Sequence, residues 1–287
     1  MASRAPDSPP MSIRPFAALL LLIAVVGCSH EAPAPESPTP PVPSSPPRVA
    51  ATASDSALPS YVRAAVDAAD RSAADRALDA GRKPAQTLAF FGIRPGMRIA
   101  ELGAGLGYTS ELLARVVGHA GKVYAQNSPM ILEKFANGPW TERLATPALV
   151  SLGNVVRADR QFDDPFPPEA KDLDAVLDVL FYHDTVWIGV DREKMNRAVF
   201  AALKPGGVYG IIDHSGLPGS GLSGVQTVHR IEEKVVREEV EHAGFRFVAE
   251  ASFLRNPNDT RDWNDSPRAA GERRGTSDRF VLKFEKP

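Results

Sequence analysis

The pattern of apolar and polar positions predicts that strands and helices alternate along most of the chain. An apolar run from Met97 to Leu102 ends in a glycine-rich turn, which is typical of a strand. A helix is predicted behind this turn, with Thr109 or Ser110 as its N-cap. Its apolar residues recur at helical spacing, at Leu112, Leu113, Val116 and Val117. A second strand follows at 121–127, so the first unit is strand, helix, strand, and its two strands are expected to be parallel.

The same alternation continues to the end of the chain. Further strands are predicted at 150–159, 173–182, 208–212, 245–251 and 279–284. Helices are predicted at 61–79, 84–92, 192–203 and 231–243, several of them bounded by proline or glycine. Regular alternation of this kind indicates an α/β domain of three layers, with helices on both faces of a mostly parallel sheet.

The glycine turn is the strongest candidate binding feature. Its pattern is Glu101-x-Gly103-x-Gly105-x-Gly107, and glycines there let a ligand lie against the backbone at the start of the helix. The dinucleotide fingerprint has a different spacing, so a nicotinamide dehydrogenase is disfavoured. An acid before the first glycine suits a ligand with a cationic ammonium group. A plain strand-to-helix turn is the alternative explanation.

Three turns together carry a resemblance to a known family. The glycine turn, Lys204-Pro205-Gly206-Gly207 and Ala243-Gly244-Phe245 occur in the order and spacing of class I S-adenosylmethionine-dependent methyltransferases. This resemblance implies a Rossmann-like methyltransferase fold with seven strands, mostly parallel, of which the last is antiparallel. The segments 181–184, 212–214 and 277–284 are also similar to a poorly characterised group of predicted bacterial methyltransferases.

The resemblance implies S-adenosylmethionine as cofactor and assigns residues to its binding. These are Glu101, Gly103, Ala104, Gly105, Gly107, Asn127 and Asp159. In the family, the second strand usually ends in an acid that binds the ribose hydroxyls, whereas this chain has Asn127. An amide loses the charge-assisted part of such a bond, which is worth about 1 kcal/mol or more. Asp159 is expected to accept a hydrogen bond from the adenine amine.

Candidate catalytic residues follow two neighbouring predicted strands. His183 and Asp184 end one, and Asp213 and His214 end the next, at the edge of the sheet where ligands bind. Either histidine is suited to take a proton from the methyl acceptor, and we assign His183, Asp184 and His214 to catalysis. No residue is assigned to a metal, although Asp184 and Asp213 could hold magnesium as an alternative. His229 is interpreted as a surface or capping residue.

The N-terminus predicts export and lipid anchoring. Arg14 precedes an apolar run at 16–26, and Cys28, the only cysteine, ends a segment that resembles the lipobox of bacterial lipoproteins. We therefore predict a signal peptide at 1–27, a tether rich in Pro, Ala and Ser at 28–59, and a methyltransferase-like domain at 60–287. The mature chain is expected in the cell envelope, facing the periplasm. Ser29 after the cysteine favours the outer membrane.

Composition adds limits on the partners. The chain of 287 residues is 43% hydrophobic with a formal net charge of −2, which is typical of a globular protein and gives no basic excess for nucleic acid. The predicted function is methyl transfer to a small-molecule acceptor, with membrane contact only through a lipidated Cys28. The alternative is a methyltransferase-shaped lipoprotein that binds a nucleotide-like ligand without catalysis. The sequence does not indicate an oligomeric state.

Overall fold

A computed structural model describes residues 48–50 and 58–287. The predicted signal peptide and Cys28 lie outside the described residues. Among the helices that are described, none is long and apolar enough to cross a membrane.

One mixed sheet organises the domain. Its strands are β1 (Arg48–Ala50), β2 (Arg98–Leu102), β3 (Lys122–Asn127), β4 (Val155–Asp159), β5 (Leu173–Val179), β6 (Leu203–His214), β7 (Arg246–Ala251) and β8 (Arg279–Glu285). Their order across the sheet is β1-β7-β8-β6-β5-β2-β3-β4. The seven predicted strands are confirmed, and β8 runs antiparallel to β6 and β7 as expected. The short strand β1, within the range predicted as tether, pairs in parallel with β7.

Helices cover both faces of the sheet. They are α1 (Ser60–Val66), α2 (Ala73–Arg82), α3 (Pro84–Phe91), α4 (Tyr108–Val117), α5 (Pro129–Ile131), α6 (Asn137–Leu144), α7 (Pro147–Leu152), α8 (Tyr182–Trp187), α9 (Arg192–Ala202), α10 (Val225–Val228) and α11 (Glu233–His242). A π-helical turn (Leu132–Ala136) joins α5 to α6, and a 3₁₀ turn (Gly271–Arg273) precedes β8.

Alternating strand residues build two apolar layers. Ile99 of β2 packs with α1, α3 and α4 on one face, whereas Ala100 and Leu102 pack with α6, α9 and α11 on the other. The three-layer α/β architecture predicted from the sequence is therefore the observed one.

Local boundaries differ from the prediction in several places, and the strand expected at 208–212 is the longer β6 (Leu203–His214). The helix expected at 61–79 is two helices, because Ser72 caps a new one by accepting a hydrogen bond from the Asp75 amide. The strand expected from residue 150 begins at Val155, since Pro147 starts the short helix α7. The strand expected to reach residue 182 ends at Val179, and His183 and Asp184 lie in α8. The N-cap of α4 is Gly107, not Thr109 or Ser110.

A buried acid joins β2 to α4. Glu101 is 3% exposed and its carboxyl accepts a hydrogen bond from the Ser110 hydroxyl in the first turn of α4. Burial raises the pKa of Glu101 from 4.5 to about 7. The side chain therefore faces the helix beneath the glycine turn and is protonated in part at neutral pH.

The raised pKa predicts a pH-dependent stability that Glu101→Gln removes. The folded protein binds this proton more tightly than the unfolded chain does. The free energy of unfolding of the wild type therefore falls relative to that of Glu101→Gln as the pH rises from 4.5 to about 7. Above that pH the difference levels off. The total change is at most about 3 kcal/mol. Urea unfolding of both proteins across this range measures it.

Glu133→Gln is the matched control, because Glu133 is exposed. This variant should follow the wild-type pH profile. Parallel profiles for wild type and Glu101→Gln would contradict the prediction.

Candidate functional site

Backbone amides of the glycine turn between β2 and α4 donate hydrogen bonds to the next strand. Gly103, Gly105 and Gly107 have φ values of 60°, 56° and 83°, a region that favours glycine. The Gly103 amide donates to Gln126 Oε1 at 3.0 Å, and the Ala104 amide donates to the Gln126 carbonyl at 2.8 Å. The end of β3 thus fixes the shape of the turn.

Asn127 at the end of β3 holds the middle of the turn. Its Oδ1 accepts from the Gly105 amide at 2.8 Å, and its Nδ2 donates to the Gly105 carbonyl at 3.1 Å. The side chain is fully buried. Both polar groups of the amide are therefore engaged by the turn itself, an arrangement that a carboxylate could not make because it has no proton to donate.

The three glycines face different surroundings. A Cβ on Gly103 would lie 2.3 Å from the Phe181 ring, and one on Gly107 would lie 2.2 Å from Trp140. A Cβ on Gly105 would meet nothing closer than 3.9 Å. Gly103 and Gly107 are thus required by packing, whereas Gly105 leaves open space. A ligand fits over Gly105, and Phe181, stacked on Phe162 at 5.1 Å, occupies the space above Gly103.

The remaining two predicted cofactor residues differ in exposure. Glu101 is enclosed beneath the turn, as described above. Asp159 ends β4 beside Asn127, its register partner, and its exposed carboxylate pairs with Arg157 at 2.7 Å.

A cavity of about 280 Å³ opens at the carboxyl ends of β5 and β6, and we call it the histidine cavity. It brings together side chains from α2, α8, the end of β6 and the long loop before β8. Its lining residues are Ala77, Leu78, Gly81, Arg82, Leu180, His183, Asp184, His214, His229, Asp265, Pro267, Arg274, Gly275 and Arg279. The three predicted catalytic residues, His183, Asp184 and His214, thus share one cavity.

His183 is fixed by a fully buried carboxylate. Its Nδ1 lies 2.6 Å from Asp213 Oδ1, and its backbone amide donates to Asp213 Oδ2 at 2.7 Å. Burial disfavours the imidazolium, but Asp213 and Asp184 outweigh that cost and raise the pKa of His183 to about 10. Asp213 also accepts a hydrogen bond from the His214 amide at 2.8 Å, so its oxygens hold local backbone in place. Both carboxylates of the magnesium alternative contact His183, Asp213 at Nδ1 and Asp184 at Nε2, and that alternative stays a prediction.

The other two histidines have lowered pKa values. His214 Nδ1 lies 2.5 Å from Asp265 Oδ2 and 2.9 Å from Ser277 Oγ, and burial lowers its pKa. His229 follows α10, and burial together with the neighbouring charge of His183 lowers its pKa to about 4. The His229 ring lies 4.2 Å from the His183 ring, centroid to centroid.

His229 is the residue that sequence reasoning missed. It is the C-cap of α10, so the interpretation as a capping residue is confirmed, but its side chain is 19% exposed and lines the histidine cavity, which that interpretation did not include. Its backbone has φ of 59°, an uncommon value outside glycine, and no pattern along the chain indicates this. Asp178 on β5 is fully buried, and burial raises its pKa well above the usual range.

Comparisons with known proteins indicate the same fold. A family model described as protein-L-isoaspartate(D-aspartate) O-methyltransferase matches residues 59–136, which include the glycine turn. A search of curated proteins gives no match.

Several solved structures are similar. A putative methyltransferase in complex with the Trm112 activator from Haloferax volcanii is 18% identical, with a TM-score of 0.51 over 79% of this chain and 98% of the other. A putative sarcosine dimethylglycine methyltransferase from Galdieria sulphuraria is 19% identical, with a TM-score of 0.50 over 74% of this chain and 85% of the other. An arsenic(III) S-adenosylmethionine methyltransferase from Chlamydomonas reinhardtii is 19% identical, with a TM-score of 0.50 over 79% of this chain and 73% of the other.

These similarities agree with the strand order and the glycine turn. The domain has the Rossmann-like fold of the S-adenosylmethionine-dependent methyltransferases.

Proposed function

We propose that this domain transfers the methyl group of S-adenosylmethionine to a small-molecule acceptor bound in the histidine cavity. The observation that carries the proposal is the placement of His183, Asp184 and His214 in one cavity at the carboxyl edge of a methyltransferase-type sheet. Ligands of open α/β sheets bind at this edge. The glycine turn lies at the same edge, after β2, and β2 is separated from β6, which carries His214, by the single strand β5.

The cofactor would be held by the turn and by the ends of β3 and β4. The open face of Gly105 is the surface it would cover, with Gly103, Ala104 and Gly107 shaping the turn and Asp159 at the adenine end. Asn127 would bind the ribose only by giving up a bond to Gly105. When bound, S-adenosylmethionine supplies an electrophilic methyl group. Glu101 supports the turn from below.

The cavity walls favour an acceptor with an acidic group. Arg82, Arg274 and Arg279 are among the lining residues, and guanidinium groups suit carboxylates and phosphates; the Arg279 guanidinium already donates to Ser277, Gly81 and Gly275. The matching family is described by its action on an isoaspartate, which is itself a carboxylate. His214, whose pKa burial lowers, would take the acceptor's proton where the acceptor atom carries one, and His183 would help to orient the acceptor.

Binding without catalysis is the second candidate function. Asn127 engages the Gly105 backbone with both ends of its amide, and Phe181 packs directly above Gly103. These contacts differ from those of the usual cofactor turn. They support a domain that binds a nucleotide-like ligand at the open face but no longer catalyses methyl transfer. The two functions are separated by measuring the formation of S-adenosylhomocysteine from S-adenosylmethionine with a panel of isoaspartyl peptides and small carboxylates as methyl acceptors.

Gly105→Ala should weaken S-adenosylmethionine binding at least tenfold, because the methyl group would enter the only open face of the turn. Gly153→Ala is a matched control. Gly153 has φ of 58° against 56° for Gly105, and in both a Cβ would meet nothing closer than 3.9 Å. Both variants should lose similar stability, of the order of 1 kcal/mol, from the left-handed backbone. Isothermal titration calorimetry measures the difference, and equal affinities would contradict the assignment of the turn.

His214→Asn should lower turnover by about 10²-fold or more if the imidazole takes the acceptor's proton. The dissociation constant for S-adenosylmethionine should stay unchanged, since the side chain faces the cavity and not the glycine turn. Release of S-adenosylhomocysteine with the best acceptor of the panel gives the rate. Loss of cofactor affinity equal to the loss of rate would indicate a structural role instead.

We further propose that the mature chain begins at Cys28 and is lipid-anchored in the bacterial cell envelope. The support is the sequence alone: Arg14, the apolar run at 16–26 and the single cysteine. Several acyl chains on one cysteine give stable anchoring where one chain would not.

Cys28→Ser should block lipidation and leave an unprocessed precursor. Mass spectrometry of the N-terminus and fractionation of membranes measure the outcome. The wild-type chain should carry acyl groups on Cys28 and sediment with membranes. A wild-type chain that keeps its N-terminal methionine in the soluble fraction would overturn the anchor.

A further inference from the structure

We infer that His183, Asp184 and His229 form a binding site for a divalent transition metal ion, best suited to zinc. The three residues come from α8 and from the position after α10, on the wall of the histidine cavity. They offer two imidazole nitrogens and one carboxylate oxygen, all within 4.8 Å of one another.

Two of the three distances between the ligand atoms match a tetrahedral metal. His183 Nε2 lies 3.3 Å from Asp184 Oδ1, and His229 Nε2 lies 3.5 Å from the same oxygen. Bonds of about 2.0–2.2 Å at tetrahedral angles place ligand atoms about 3.3–3.5 Å apart. The two imidazole nitrogens lie within 4.8 Å of each other, and a bound zinc ion would draw them to the tetrahedral spacing.

An unsatisfied buried nitrogen points to a missing partner. His183 is 1% exposed, and its Nε2 makes no hydrogen bond of regular geometry to any described residue, although Asp184 Oδ1 lies 3.3 Å away and the ring's Nδ1 is bound to Asp213. Buried polar atoms without a partner are uncommon and call for an explanation. A histidine whose far nitrogen is held by a buried carboxylate is the usual arrangement of a metal ligand, because the carboxylate sets the tautomer and orients the ring.

The other two ligands are also held in place. Asp184 Oδ1 accepts a hydrogen bond from the Trp187 indole at 2.6 Å, which orients the carboxylate. His229 adopts φ of 59° and ψ of 48°, a left-handed conformation that costs a non-glycine residue of order 1 kcal/mol or more. That strained backbone brings the imidazole to the other two ligands.

The ligand set distinguishes zinc from magnesium. Magnesium prefers oxygen ligands, whereas two imidazoles and one carboxylate are typical of zinc sites that keep a position open for substrate. The open position here would face the histidine cavity. If the proposed function holds, a zinc ion there would favour acceptors with a thiol or hydroxyl group, because the metal lowers the pKa of a bound oxygen or sulfur.

Metal binding can be tested without any knowledge of the acceptor. The full-length chain carrying Cys28→Ser, so that its only thiol is absent, is stripped with a chelator and titrated with Zn²⁺ and with Co²⁺. We expect one Zn²⁺ per chain by calorimetry and elemental analysis. Co²⁺ should give the intense visible bands of tetrahedral coordination, which Zn²⁺ then removes.

Variants identify the ligands. His229→Gln and Asp184→Asn in the same background should each weaken Zn²⁺ binding by more than 10²-fold, and Asp213→Asn, which removes the charge that orients His183, by about 10–100-fold. His119→Gln and His242→Gln remove exposed histidines and should bind as the parent does. Thermal melting in chelator shows which variants fold.

Two outcomes would overturn the inference. One is a parent protein that binds no stoichiometric Zn²⁺ and leaves the Co²⁺ spectrum unchanged from that of the aqueous ion. The other is wild-type affinity in folded His229→Gln and Asp184→Asn. Titration of S-adenosylmethionine with the same samples tests the proposed function separately, so failure of one does not imply failure of the other.

Discussion

The buried carboxylate of Asp213 organises the candidate site. It lies at the end of β6 with no exposure, and it accepts from the amide of His183, the amide of His214 and the ring of His183. Those contacts join the end of one strand to the first turn of α8 on its neighbour. Breaking such a network leaves an unpaired charge in a buried environment, which is costly. The position of His183, and with it the shape of the cavity, follows from this one side chain.

A second set of contacts does the same for the glycine turn. Gln126 and Asn127 at the end of β3 bind the backbone amides of Gly103, Ala104 and Gly105. These bonds hold the turn in shape without a ligand. Packing against Phe181 and Trp140 accounts for two of the three glycines. The glycine pattern alone therefore overstates how much of the turn is available to a cofactor, and only Gly105 remains open.

The sequence predicted the sheet well because strand signals are local. Alternating apolar runs, proline and glycine mark all seven predicted strands, and the order of the turns indicated how the strands are arranged. Contacts between distant residues were harder to predict. Asp213 was placed at a strand end beside His214, but nothing in the sequence indicated that its carboxylate binds His183 at the end of the neighbouring strand. His229 was missed because its left-handed backbone, which no local residue pattern requires, brings it to the cavity.

The segment from Leu180 to Asp184 serves both halves of the site. Phe181 lies over Gly103 in the glycine turn, and His183 and Asp184, two and three residues later, line the histidine cavity. Leu180, with φ of 61°, begins the segment in a conformation that leaves its backbone little freedom. Any ligand that displaces the Phe181 ring must therefore move the start of α8. If filling the turn changes the affinity of the cavity through this segment, reciprocal linkage requires that filling the cavity changes the affinity of the turn by the same factor.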